Sequence, residues 1–298
     1  MKGFADFLTD LEEYNTLLSN IHNNITPINV VGAAESQKAH LIYSLHEHTK
    51  RPCLVVTYND VQAKKMYEDL SFFFPEGTKL FSSKEFIFYD IEASSTDILQ
   101  KRMGVIDDLC KNNRDVILIT TIDVIQQMMI PKSLYMKYIR TFEVGNVYDI
   151  EQMIQDFIVM GYQRVDTVEG RGQFAVRGGI VDIFPMVAEC PYRIEFFDDE
   201  IDSIREFDVI TQLSIEKVHQ VYVGPAREII YEYEQAEHLT EQLKKIIEKL
   251  EEKLIRSGHK DILHEMMEHI EQDIQKIQQQ HYFHSLDKYL PLVYAKDS

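Results

Sequence analysis

The residues that could hold a phosphate lie early in the chain, in VVGAAESQKAHL, residues 30–41. Set against the phosphate-loop pattern G-x-x-x-x-G-K-[ST], Gly32 and Lys38 fall in place, but Gln37 stands where the second glycine belongs and Ala39 where the hydroxyl belongs. Both departures matter chemically. The second glycine lets backbone amides wrap the phosphates with no Cβ in the way, and the hydroxyl ligates Mg²⁺. The apolar run DVILITT, 115–121, ends in Thr120 and Thr121 rather than in the acidic pair that would hold the metal and orient water, and Asp123 already belongs to a helix start. Nucleotide hydrolysis is therefore not expected of this loop.

A second group of residues suits recognition rather than catalysis. In GYQRVDTVEGRGQFAVRGGIVDIFP, 161–185, Phe174 and Val176 alternate with Ala175 and Arg177, and Gly178 and Gly179 then bend the chain into a second apolar run closed by Pro185. PYRIEFFDDEIDSIREFDV, 191–209, reads as a hairpin with Asp198, Asp199 and Glu200 as its polar turn. Strand parity puts Ile194 and Phe196 on one face and Arg193, Glu195 and Phe197 on the other, beside Arg177 from the strand before. An open face carrying two arginines and a phenylalanine has the makings of an interface hot spot. The competing reading covers Phe197 with a helix of its own domain and pairs the arginines with nearby acids.

The elements that must position these residues follow from hydrophobic spacing. Residues 4–21 read as an amphipathic helix, INVVG (28–32) as a short buried strand, 35–48 as a helix, CLVVTY (53–58) as a strand and 60–73 as a helix. An irregular region with Phe81, Phe86 and Tyr89 precedes a helix near 96–111 and the strand 115–121. Such alternation implies a parallel sheet with helices packed on it. Beyond Pro131 the pattern turns strand-rich, in YMKYIRTFEV and the hairpins, around one helix at 149–160. Two apolar stripes, Leu239 to Leu254 and Ile262 to Ile277, separated at Gly258, read as a helical hairpin. The chain stops after the apolar run YLPLVYAKDS without a cap or tail, as expected of a boundary inside a longer protein.

Composition limits the partners. The chain has 298 residues, 45% of them hydrophobic, enough for two or three domains with cores of their own. Its formal net charge of −18 repels a phosphate backbone, so sequence-independent DNA binding by this chain alone is not expected. Cys53, Cys110 and Cys190 lie far apart without paired spacing, which suits buried thiols in a reducing cytoplasm. His264 and His269 are five apart, where a zinc helix needs four, so no metal is expected there. RGG at 177–179 is a single copy inside a strand pattern and reads as a turn.

The two motifs of 161–209 resemble the second domain of UvrB and of the bacterial transcription-repair coupling factors. The degenerate phosphate loop favours the latter, since UvrB keeps an intact one and has a tyrosine-rich DNA hairpin that this sequence lacks. FYDIEASSTDILQKRMGVIDDL, 88–109, is also similar to the coupling factors. The resemblance covers nearly the whole chain and is weakest over its last sixty residues. It implies an amino-terminal UvrB-like module in an α/β fold. A degenerate RecA-like, P-loop-like domain would be split in sequence (1–125 and 213–298) around an inserted α+β domain at 126–212 that binds UvrA. The residues carried over by the resemblance are Arg177, Arg193 and Phe197. It further implies that this part catalyses nothing and takes no cofactor. ATP, Mg²⁺, DNA and RNA polymerase would be used by other parts of a DNA-translocating full-length protein, in which the docking face is masked at rest. The alternatives are a UvrB-type, damage-reading ATPase and a purely structural or oligomerising domain.

Overall fold

The computed structural model describes residues 2–83, 96–111, 115–257, 260–279 and 283–294. Phe86, Tyr89, the first part of the 88–109 motif, the side chain of His264 and the final AKDS lie outside the described residues. The chain divides into two compact units, Met1–Lys84 with Val105–Gln127, and Glu85–Gly104 with Met128–Ser298.

The first unit opens with α1 (Lys2–Asp6), a 3-10 turn at Phe7–Asp10 and α2 (Glu12–His22). The single helix expected over 4–21 is thus broken, because Leu11 is extended, with φ −95° and ψ 126°. Next come α3 (Glu35–Thr49), β1 (Cys53–Thr57), α4 (Asp60–Phe73) and β2 (Thr78–Phe81). The end of α5 (Thr96–Cys110), β3 (Ile117–Thr121) and the short α6 (Ile122–Ile125) complete it. The strands form a parallel sheet in the order β1-β3-β2. Asn59 caps α4 by accepting from the Gln62 N–H at 2.9 Å, which starts the helix where Ala63, Met66 and Leu70 then share one buried face. That face packs with Ala39 and Tyr43 of α3 and Ile117 and Ile119 of β3.

Two expectations fail here. INVVG forms no strand, and Val31 is 84% exposed: an apolar run becomes a strand only where a neighbour offers a ladder, and none of the described residues offers one here. Phe81, expected in irregular chain, ends β2, whose four residues are too few to show a period but pair with the central strand β3.

The second unit is mainly antiparallel. It contains α7 (Lys132–Lys137), β4 (Arg140–Glu143), α8 (Ile150–Val159), β5 (Gln163–Arg164), β6 (Gln173–Arg177), β7 (Ile180–Phe184), β8 (Tyr192–Phe197) and β9 (Glu200–Phe207). It continues through β10 (Ser214–Val218), β11 (Gln220–Val223), α9 (Tyr233–Ser257), α10 (Lys260–Gln278) and α11 (Leu290–Val293). Six strands run in the order β10-β9-β8-β7-β6-β5, and β4 pairs separately with β11. The start of YMKYIRTFEV, expected as strand, is the end of α7: Tyr135 closes a helical turn onto the Pro131 carbonyl and is fully buried. Phe157 of α8 meets Phe142, Tyr162 and Phe174 at centroid distances of 5.4–5.8 Å, which fixes α8 to the strands. α9 and α10 pack on each other as the expected hairpin, and Leu239, Leu243 and Ile277 on them are buried. The fold is therefore mixed α/β, with a parallel three-stranded sheet, a mainly antiparallel six-stranded sheet and the antiparallel β4–β11 pair among the described residues.

Candidate docking site

The phosphate-loop candidate is occupied by its own side chains. Gly32 has φ +91°, a turn only glycine adopts freely. At the start of α3 the Ala34 N–H donates to Gln37 Oε1 at 2.9 Å, so the residue replacing the second glycine folds back onto an amide that a phosphate would need. Glu35 accepts from Lys38 Nζ and from Gln62 Nε2, each at 2.5 Å, and these bonds, that of Lys38 first, hold its carboxyl below the usual range. Ala39 is fully buried in the core of this unit, so the position of the metal-binding hydroxyl faces packing instead. A cleft of about 890 Å³ remains beside the loop, walled mostly by apolar side chains such as Val30, Val31, Val56 and Ile122.

The recognition residues stand on two strands of the second unit, β6 and β8, with β7 between them. β6 and β7 are joined by the two-residue turn Gly178–Gly179, where Gly178 takes φ +61° and a Cβ on Gly179 would come within 3.1 Å of the Phe196 carbonyl oxygen. β8 and β9 form the second hairpin, with Asp198 at φ +60° in its turn; Glu200, read as part of that turn, instead pairs with Phe197. The core face of these strands is made by Val181, Ile183, Ile194 and Ile204, none more than 1% exposed. β9 carries one extra residue where the register shifts between Glu195 and Phe196, so the alternation of β8 runs on unbroken.

Phe197 is consequently turned out, 79% exposed, on a strand end that does not swing free. The segment before α8 braces the tip: the Tyr148 N–H donates to the Asp199 carbonyl at 2.8 Å, and Ile201 exchanges bonds with Gly145 and Asn146 at 2.8 and 3.0 Å. An exposed aromatic on a braced backbone loses little freedom on binding, the property that makes such residues anchors.

The two arginines meet on one acid. Asp182 of β7 lies directly across from Arg193 of β8 and is 1% exposed. Its Oδ1 accepts from Arg193 Nε at 2.7 Å, and its Oδ2 accepts from Arg193 Nη2 at 2.9 Å and from Arg177 Nη2 at 2.5 Å. Arg193 also donates to the Gln212 carbonyl at 3.3 Å and lies 4.7 Å from the Phe207 ring centroid. The Asp182 bonds raise its guanidinium above the ordinary arginine value. The side chain of Arg193 is only 18% exposed, whereas that of Arg177 is 51% exposed. Each reading drawn from parity thus holds in part: the arginines do pair with an acid, and Phe197 is not covered. Asp182 was not singled out in the sequence, although the same alternation that set Arg193 outward sets Asp182 beside it.

Residues 141–229, which carry these strands, match the family described as the UvrB interaction domain. Over nearly its whole length the chain is similar to a transcription-repair-coupling factor: that of Bacillus subtilis (strain 168) is 28% identical over 297 residues, covering 99% of this chain and 25% of the relative. The Staphylococcus aureus (strain USA300) protein of the same name is 31% identical over 234 residues, covering 78% of this chain and 20% of the relative. The chain spans a quarter or less of the length of these relatives. The resemblance read from the motifs is thereby shown.

Proposed function

We propose that this chain is the amino-terminal UvrB-like module of a transcription-repair coupling factor, and that it docks UvrA through Arg177, Arg193 and Phe197 to bring nucleotide excision repair to a stalled RNA polymerase. The observation that carries this reading is Phe197, exposed at the braced hairpin tip within the segment matching the UvrB interaction domain. In this reading the docking domain, expected at 126–212, also takes in β10 and β11, which pair with β9 and β4, and residues 1–125 are the start of a degenerate RecA-like domain. The module hydrolyses no ATP, because Gln37 and Glu35 already engage the donors that phosphates would use and Ala39 offers no metal ligand. ATP, Mg²⁺, DNA and RNA polymerase are left to other parts of the protein, in the cytoplasm. No helix among the described residues is long and apolar enough to cross a membrane.

The test is a calorimetric titration of the chain with UvrA beside folded Arg177→Ala, Arg193→Ala and Phe197→Ala variants. Binding is expected for the unaltered chain, with a loss of about 1–3 kcal/mol per substitution. Unchanged affinity in all three variants would reject the assigned face. Mg-ATP titrated into the same chain is expected to give no binding heat and no turnover.

A further inference from the structure

A carboxylate as buried as Asp182 must be paired, and Arg193 alone would do so, since its bidentate contact already uses both oxygens. Arg177 is a second cation on the same acid, which leaves a surplus positive charge at the surface. The two guanidinium groups are also unequally used. Arg193 has protein acceptors at Nε, Nη1 and Nη2, while among the described residues Arg177 bonds only through Nη2. The half-exposed Arg177 therefore keeps Nε and Nη1 for a group outside this chain, and its direction is fixed by the acid it leans on.

We propose that Asp182 is a positioning residue of the docking face: its buried carboxylate, clamped by Arg193, aims the free edge of Arg177 at a carboxylate or carbonyl of the partner. The inference rests on the UvrA-docking reading and assigns within it a division of labour. Arg177 and Phe197 make the outward contacts, and Asp182 with Arg193 holds the first of them in place before binding. A long, flexible side chain held this way gives up less conformational freedom on association than one moving in solvent. Without Asp182, Arg177 and Arg193 would be like charges on the two strands that flank β7 and would separate.

The test is a double-mutant cycle on the full chain, with affinity for UvrA as the readout. Asp182→Asn is expected to weaken binding about tenfold in the otherwise unaltered protein and to have almost no effect when Arg177 is already alanine. In a Phe197→Ala background its effect is expected to persist in full. Equal losses in the first two backgrounds, or no loss in either, would overturn the inference. Because Asp182→Asn leaves Arg193 partly unpaired and could unfold the chain, a second measurement uses the unaltered protein: NMR of the arginine side chains. Hindered guanidinium rotation at both Arg177 and Arg193 before UvrA is added is expected, and a freely rotating Arg177 would refute the positioning role. Failure of the docking reading itself looks different, since the unaltered chain would then not bind UvrA, or Phe197→Ala would cost nothing.

Discussion

At the scale of single residues, this chain uses ion pairs in two ways that burial separates. Arg102 and Glu228 are almost fully enclosed, with side chains 2% and 1% exposed, and meet in a bidentate contact, Nε to Oε1 and Nη2 to Oε2 at 2.7 Å each. Neither can exchange its partner for water, so Arg102→Ala is expected to cost about 3–5 kcal/mol by leaving Glu228 buried without its arginine. Urea unfolding measures that loss, and an Arg102→Met, Glu228→Leu double variant is expected to recover most of it, since an apolar pair of similar volume has no charge to desolvate. A loss below 1 kcal/mol in the single variant would mean that water reaches Glu228. At the docking face the pairing is lopsided instead: one buried acid serves two arginines, one of them half exposed. The first arrangement suits stability, the second recognition.

At the scale of elements, the docking strands are held from behind by a helix that local chemistry starts. Asp149 caps α8, its Oδ1 accepting from the Glu151 and Gln152 N–H groups at 2.8 and 3.4 Å. One turn later α8 begins to bury Met153, then Phe157 against Phe174 of β6. Asp149→Ala is expected to cost about 1 kcal/mol, seen as a lower urea midpoint with an unchanged slope. A changed slope would show instead that the helix had come away from the sheet. The hairpins are equally local in origin: Gly178 and Asp198 take positive φ where two-residue turns require it, and the pairing of Arg177 with Ile180 and of Phe197 with Glu200 follows.

For the whole molecule, the high tyrosine content, 16 residues, couples stability to alkaline pH. Burial pushes Tyr14, Tyr192 and Tyr231 up to about 12 from the ordinary value of 10.0. Below pH 10 each is neutral whether the chain is folded or not, and the full contribution is present. Between 10 and 12 only the unfolded chain ionises freely, so stability is expected to fall across that window. Tyrosinate absorbance should lag in the native protein and jump on unfolding; a titration finished near pH 10 in the folded chain would contradict the burial. Much of this molecule was legible in its sequence. Alternation and paired turn residues are properties of a few neighbouring positions, so the β6–β9 hairpins and the outward Phe197 could be read from them, as could the defects at Gln37 and Ala39. Other features depended on residues far along the chain. INVVG has the composition of a strand but no neighbour to pair with among the described residues, β2 is recognisable only by its place beside β3, and the start of YMKYIRTFEV is helical because Tyr135 closes a turn onto Pro131. The occupation of the phosphate loop needed Gln62, 27 positions from Glu35, and the clamp needed three strands to bring Asp182, Arg177 and Arg193 together. Sequence alone thus determined the turns, the alternation and the departures from the phosphate-loop pattern, because local backbone preference and residue identity govern them. Tertiary structure decided which charges are buried and by whom they are shared, because desolvation depends on everything packed around a group.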